Sequence, residues 1–328
     1  MDILDNIDEA LDDAHSNGII TEAVALARYG SIVVSAHTDI GGRTSQEDRL
    51  VMAPNLIANG HEVAFFGVFD GTVGDFASDT IHRIIVKHLV STDAWQKLRV
   101  ALETGEDHGI NIPDLAVLAL SQMYKNADCE LLELCTQHDI NYASCTSVTV
   151  LLIDEYTFVA HLGDSRASMC YEEGGNLFAK YITTDHKPNH PEEKNRILSA
   201  GGSVQYLSTH SNKPFLRGGD FLDRKARGDK PMQIQYSRAF GGKDLKMYGL
   251  YSEPEITVFR RGEKHRGLIL ASDGLWDIKE CEQAFSSALG ARERGENPSR
   301  YLVDMTLKEQ QNRSKRPDNI TVIVIFFD

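Results

Sequence analysis

No run of apolar residues in this 328-residue chain approaches the roughly 20 that a membrane-crossing helix needs. Basic residues are scarce. The 34 Lys and Arg against 48 Asp and Glu leave a formal net charge of −14. That balance argues against nucleic acid or a membrane as the main partner, although a local basic patch or a bound cation can invert the field. Cysteine is sparse and unpaired in pattern: Cys129, Cys135, Cys145, Cys170 and Cys281 are odd in number and form no Cys-x-x-Cys motif. Free thiols in a reducing compartment are expected rather than a disulfide framework. The opening MDILDNIDEA is acidic and amphipathic, unlike a signal peptide, and lacks the glycine that myristoylation needs. These absences lead us to expect a soluble, monomeric, cytoplasmic or nuclear protein. With 41% hydrophobic residues the chain can bury a large core.

The pattern of what is present divides the chain. Residues 1–30 read as an N-terminal helical extension, with Ile3, Ile7, Ala10 and Ala14 on one stripe and Thr21 capping a second piece to Arg28. From Ser31 the period shortens. SIVVSAHT (31–38) and HEVAFFGVFD (61–70) read as strands. Residues 77–100 read as a helix broken near Ser91-Thr92, and Pro113 opens a long second one. Closely spaced strands follow: SCTSVTVLLI, YTFVAHLGD, RASMCYE and LFAKYIT. Their links at Asp154-Glu155, Asp164-Ser165 and Glu173-Gly174-Gly175 suggest hairpins. PEEKNRILSA is a short helix, 205–232 shows no clear period, and GLILASDG and NITVIVIFFD are late strands around helical 277–291 and 297–311. Hairpin-linked strands with an inserted helix pair suggest packed antiparallel sheets with helices outside, not a βαβ alternation.

Carboxylates recur at the ends of these strands. Glu47-Asp48 precede LVMAP, Asp70-Gly71 end VAFFGVF, Asp164 ends YTFVAHLG, Asp273-Gly274 end LILAS, and Asp318 precedes NITVIVIFF. Each alone is compatible with an ordinary turn, since Asp-Gly favours turns. Gathered at one end of a sandwich, they would repel one another and be costly to desolvate. Divalent cations resolve that conflict, and an all-oxygen ligand set suits Mg²⁺ or Mn²⁺.

In this order the motifs resemble those of the metal-dependent serine/threonine protein phosphatases of the PPM, or 2C, type. RTSQEDR (43–49), VFDGTVGDFAS (68–78), SCTSVTVLLI (144–153), HLGDSRASM (161–169), TTDHKPNHPEEKNRILSAGGSV (184–204), YSRAFGG (236–242), LILASDGLWD (268–277) and RPDNITVIVIFF (316–327) carry the resemblance over about residues 31–327. It implies an α+β fold, a central antiparallel β-sandwich flanked on both sides by α-helices, over residues 31–328 with a variable flap at about 205–232. It further implies hydrolysis of phosphoserine and phosphothreonine in phosphoprotein substrates by a metal-activated water. Asp70 would bridge two Mg²⁺ or Mn²⁺ ions with the Gly71 carbonyl as a further ligand. Asp273 and Asp318 would hold one ion and Glu47 would serve the other. Asp48 would orient water from behind, Asp164 with Asp273 could hold a third ion, and Arg43 would clamp the phosphate.

The sequence departs from the family at several points. Thr72 stands where a histidine general acid is usual, so a pseudophosphatase or scaffold with little turnover is the alternative reading. His37, His61 and His161 are the candidate histidines to serve instead. Gly242 replaces an aspartate, Ser144 a glycine, and Gly74-Asp75 retains only part of a glycine pair. The flap concentrates Lys213, Arg217, Arg224, Lys225, Arg227 and Lys230, diluted by Asp220, Asp223 and Asp229. It reads either as an attractor of acidic substrates or as a solvated loop. His186 and His190 read as parts of a turn leading into a helix.

Overall fold

In the computed structural model, residues 19–57, 60–105, 111–208, 212–228, 232–312 and 316–328 are described. Strand β4 (Val63–Phe69) shows how the layers arise. Its Val63, Phe65 and Phe69 join one core cluster, while Ala64, Phe66 and Val68 join another. Alternate residues point to opposite faces, and both faces are covered, so the strand reads as a continuous apolar run.

β4 lies in a five-stranded sheet ordered β15 (Glu255–Arg260), β8 (Tyr156–Leu162), β7 (Ser147–Ile153), β4, β3 (Arg49–Ala53). The second sheet is ordered β1 (Val24–Tyr29), β2 (Ile32–Asp39), β17 (Ile320–Phe327), β16 (His265–Ala271), β9 (Arg166–Glu173), β10 (Asn176–Tyr181). All their pairings are antiparallel. The sheets share a core of Leu50, Phe66, Val150, Leu268, Leu270 and Ile323, among others. Helices α1 (Phe76–Val90), α2 (Asp93–Thr104) and α3 (Ile112–Gln137) bury Ile81, Trp95 and Leu120 against the five-stranded sheet. Thr92 accepts a hydrogen bond from the Trp95 backbone N–H (3.1 Å), which starts α2 and explains the expected break. Helices α8 (Cys281–Glu293) and α9 (Pro298–Asn312) cover the six-stranded sheet through Phe285, Leu302 and Val303. The expected sandwich with helices on both sides is the observed fold. Among the described residues no helix is long and apolar enough to cross a membrane.

Three sequence expectations are corrected. Residues 24–29, assigned to a helix from Thr21, form β1, paired to β2 from Val24↔Ala36 to Tyr29↔Ile32. VALARY is rich in helix formers, but pairing to an exposed sheet edge overrides local propensity. The stripe Ile3–Ala14 lies outside the described residues. The Asp154-Glu155 and Glu173-Gly175 links close hairpins, but Asp164-Ser165 does not. β8 and β9 belong to different sheets, so this short link carries the chain across one end of the sandwich. The flap is also more regular than its composition suggests. It holds β11 (Ser203–Leu207), β12 (Lys213–Arg217) and β13 (Gln233–Ile234) with helix α5 (Phe221–Arg227), anchored on Leu216, Met232 and Ile234. Lys230 and Asp229 lie outside the described residues.

The antiparallel pairings gather the acids. Arg49↔Phe69, Val68↔Val148 and Ser147↔Leu162 put the start of β3, the end of β4, the start of β7 and the end of β8 at one edge. Ala271↔Val322 and Ala271↔Arg166 do the same for β16, β17 and β9. The short Gly163–Ser165 crossing brings these two edges together.

Phe66 is 0% exposed between the sheets. Phe66→Ala should therefore lower stability by about 3–5 kcal/mol in denaturant unfolding, through lost transfer energy and an unfilled cavity. A loss under about 1 kcal/mol would contradict this packing.

Candidate active site

At the shared end a cleft of about 620 Å³ is lined by Arg43, Glu47, Asp70, Gly71, Thr72, Asp164, Asp273 and Asp318. Of the residues expected from sequence, Asp48 alone is not on its wall. Asp48 is 2% exposed beneath it. The Ser272 hydroxyl donates to its Oδ2 at 2.7 Å, joining the start of β3 to the end of β16 across the two sheets.

Two glycines permit the close approach. A Cβ on Gly71 would lie 2.6 Å from the Glu47 carbonyl oxygen, and the Gly71 N–H donates to that oxygen at 3.1 Å. A Cβ on Gly274 would lie 2.0 Å from the Asn319 carbonyl oxygen. The Asp-Gly pairs are thus tight seams between neighbouring strand ends. The Glu47 carboxylate is oriented by the Ser45 hydroxyl (2.8 Å) and the Gly74 N–H (3.0 Å).

The electrostatics are unfavourable without a cation. Among the described residues, no side chain forms a hydrogen bond or ion pair with Asp70 or Asp273. Both lie on the cleft floor, partly accessible. Burial, and then Asp48, Asp273, Asp164 and Asp318, hold the Asp70 carboxyl well above the usual carboxylate range. Burial, and then Asp164, Asp277, Asp318 and Asp48, do the same to Asp273. Burial, opposed by hydrogen bonds from Ser272 and Thr321, pushes Asp48 up to about 7. Oxygen donors that lack protein partners and repel one another fit hard divalent cations, which would hold them ionised.

The nearby cations are partly committed. Arg43 Nη2 donates to Asp318 at 2.5 Å at the rim. Lys187 forms an ion pair with Asp164. Lys213 and Arg316 also line the cleft, with Lys213 3.7 Å from Asp277. Elsewhere in the flap, Arg224 is paired with Asp220 and Asp244, and Arg217 stacks on Phe221 and bonds Gln233. These contacts hold the flap in shape and, among the described residues, leave Lys213 as the flap cation on the cleft wall.

No histidine lines the cleft among the described residues. His61 bonds Asp154 at the β7–β8 turn (2.8 Å), at the opposite end of the strands. His37 lies near Arg300 and Asp304 of α9. His161 stacks on His186 with ring centroids 4.4 Å apart and bonds the Thr184 carbonyl. With Glu255 these two histidines form a possible metal group. Stacked rings, however, do not converge their lone pairs on one point. The Gly163 N–H at 3.2 Å also occupies His186 Nδ1 and leaves the proton on Nε2. We read the pair as packing beneath the 184–190 turn. His190 precedes helix α4 (Pro191–Ser199) without capping it through its side chain. Cys135, Cys145, Cys170 and Cys281 are buried, and burial pushes their thiols up, as expected for core residues.

Sequence reading missed several participants. Asn319 accepts from the Glu47 N–H (2.8 Å) and donates to the Ile40 and Ser45 carbonyls (2.9 and 3.0 Å), so it shapes the Arg43–Glu47 loop. Val73 lines the cleft at φ 64° and 60% exposure, a left-handed conformation costly for a β-branched residue. Tyr236 presents its buried hydroxyl to the Ser144 hydroxyl at 2.9 Å. Burial pushes the phenol up. Only Val73 carried a signal in sequence, as a bulky residue in a glycine-rich turn. Gly242 adopts φ 61° ahead of helix α6 (Lys243–Lys246), and its N–H donates to Ala143 (2.7 Å), so local order survives there.

The raised pKa of Asp48 fixes the sign of a pH effect. The folded protein keeps a proton that the unfolded chain releases near pH 4, so its contribution is lost as pH rises from about 4 to 7. Metal-free protein should lose on the order of 2–4 kcal/mol across that window relative to Asp48→Asn. Thermal unfolding in chelator at stepped pH measures it, and identical pH slopes for the two proteins would refute it.

The sequence matches the Protein phosphatase 2C family over residues 33–316. It is 32% identical over 302 residues to "Probable protein phosphatase 2C 71" of Arabidopsis thaliana, covering 92% of this chain and 57% of that one. It is 31% identical to "Probable protein phosphatase 2C 45" of Oryza sativa subsp. japonica, covering 92% of this chain and 90% of that one. Among solved structures it resembles serine-threonine phosphatase 2C from Toxoplasma gondii, with TM-score 0.90, 48% identity and coverage of 94% of this chain and 99% of that one. The chain belongs to the protein phosphatase 2C family of metal-dependent serine/threonine phosphatases.

Proposed function

We propose that the protein is an active phosphatase that hydrolyses phosphoserine and phosphothreonine in phosphoproteins with Mg²⁺ or Mn²⁺. The observation that carries this reading is the meeting of Glu47, Asp70, Asp273 and Asp318 in one cleft with Arg43 at its rim. Asp70 and the Gly71 carbonyl, with Glu47 on one side and Asp273 and Asp318 on the other, would hold two ions. A third, through Asp164 and Asp273, would compete with Lys187. When bound, the cations would supply an activated water and neutralise charge on the phosphoryl oxygens. The protein's own residues do the positioning. Arg43 offers a planar fork that fits two phosphate oxygens. Asp48, fixed by Ser272, stands behind the ligands as an acceptor for ordered water. Lys213 and Arg316 add positive charge at the rim and favour substrates with acidic flanks.

A second reading, a binding protein of low turnover, rests on Thr72 and on the lack of a histidine in the cleft among the described residues. General acid catalysis typically contributes ~10²–10⁴-fold, so turnover below that of relatives with the histidine fits either reading. The first is preferred because the acid set is complete, and charge stabilisation usually outweighs one proton donor.

Turnover of a phosphothreonine peptide with Mn²⁺ should fall at least ~10²-fold in Asp70→Asn, with the far-ultraviolet circular dichroism unchanged. Equal turnover in both proteins, or none in the unaltered one, would rule the reading out.

A further inference from the structure

Val73 follows β5 (Gly71–Thr72), which pairs with β6 (Ser144–Cys145), itself paired with β14 (Phe240–Gly241). Among the described residues, four that are not glycine take a positive φ: Val73, Asp139, Asp154 and Asn212. Asp and Asn tolerate the left-handed region, whereas a β-branched side chain is crowded there. Val73 is therefore the outlier. Its turn is fixed on both sides. Thr72 pairs with Ser144, and Arg49 holds Asp75 (2.6 Å) and Asp79 (2.8 Å) at the start of α1. Between these anchors the Gly74 N–H donates to the Glu47 carboxylate at 3.0 Å. A glycine in place of Val73 would form the same turn at no steric cost, so the turn explains the backbone but not the valine. Packing does not explain it either, since the side chain is largely exposed.

The cleft does. Among the described residues, Val73 is the one exposed large apolar side chain on its wall, where Phe215, Ile234 and Tyr236 are buried. Val73 is also close to the chemistry. Three Cα–Cα steps span at most roughly 11 Å, so it lies within that distance of Asp70. A substrate residue next to the phosphorylated one is a single step of about 3.8 Å from it, and its side chain can reach the wall. We propose that Val73 is a specificity-determining residue that packs on an apolar side chain directly beside the phosphorylated residue of a substrate. The inference rests on the phosphatase reading above. It adds an apolar preference to the acidic one set by Lys213 and Arg316.

The driving force is the apolar surface that Val73 leaves in water. A substrate leucine laid on its methyl groups removes apolar area of both partners from solvent. A polar side chain at the same spot gains nothing comparable, because it gives up hydration without a hydrogen-bond partner on the valine. Backbone strain persists where surrounding structure over-determines it, and it clusters at sites that hold ligands. Here the Ser144 pairing, the Arg49 ion pairs and the Glu47 hydrogen bond supply that constraint. The contact is remote from the breaking bond and is equally present before and during reaction. It therefore acts on substrate binding and not on the chemical step. Apolar contacts of this size discriminate between substrates by roughly 10-fold.

The test uses two phosphothreonine peptides that differ only in carrying leucine or serine on both sides of the phosphothreonine. With Mn²⁺, the unaltered protein should favour the leucine peptide about 10-fold in kcat/KM, mainly through KM. Val73→Thr keeps the branched shape and the turn but makes the surface polar, and Val73→Gly removes the side chain. Each should bring the ratio of the two peptides to within about 2-fold. Val73→Gly should also melt ~1–3 °C higher, since glycine is unstrained at that φ. A preference below about 2-fold in the unaltered protein, or an undiminished one in either variant, would overturn the proposal. Equal losses on both peptides would mark a purely structural role and overturn it too. So would a lower melting temperature for Val73→Gly, which would give the valine a part in the fold. Absence of turnover of both peptides by the unaltered protein would instead overturn the phosphatase reading, and this inference with it.

Discussion

Mutual repulsion among carboxylates at the shared end of two sheets is the constraint on which this structure turns. Asp70 and Asp273 are held on the cleft floor without a side-chain partner among the described residues, and Asp48 is buried behind them. A chain free to rearrange would move these groups into water. Here it is not free. Each acid lies at or beside the end of a strand whose apolar residues are locked in a core on one or both faces. The hydrophobic burial of the sandwich holds the charges close, and a bound cation relieves the strain.

The surrounding contacts serve that placement. Gly71 and Gly274 let neighbouring backbones touch where any side chain would collide. Asn319 ties the Arg43–Glu47 loop to the start of β17, and Asp48 with Ser272 ties one sheet to the other. The Glu193 carboxylate receives Arg196, Arg238 and Ser237, so α4 and the YSRAFGG segment are fastened together beside the flap. Two motifs 44 residues apart are thereby one structural unit.

The central strands were legible because a strand buried on both faces reads as an unbroken apolar run, as in VAFFGVF and ITVIVIFF. The acids were legible because they interrupt such runs. Strand β1 was not, since VALARY has helix-forming residues and its strand state depends on pairing to β2. The crossing at Asp164-Ser165 looked like a hairpin because link length is the same whether the next strand pairs or changes sheet. Asn319 and Tyr236 were missed for a common reason. Their partners lie far away in sequence, and neither residue type announces a site by itself. Thr72 was visible as a departure, but its cross-strand pairing with Ser144 was not.

The most direct measurement of the central claim is proton release on Mn²⁺ binding, taken by calorimetry in buffers of differing ionisation enthalpy. If crowding holds protons on these carboxyls, binding near pH 6.5 should release about one proton or more, and the number should fall as pH rises. Binding without proton release near pH 6.5, or a release that Asp70→Asn leaves unchanged, would contradict the account.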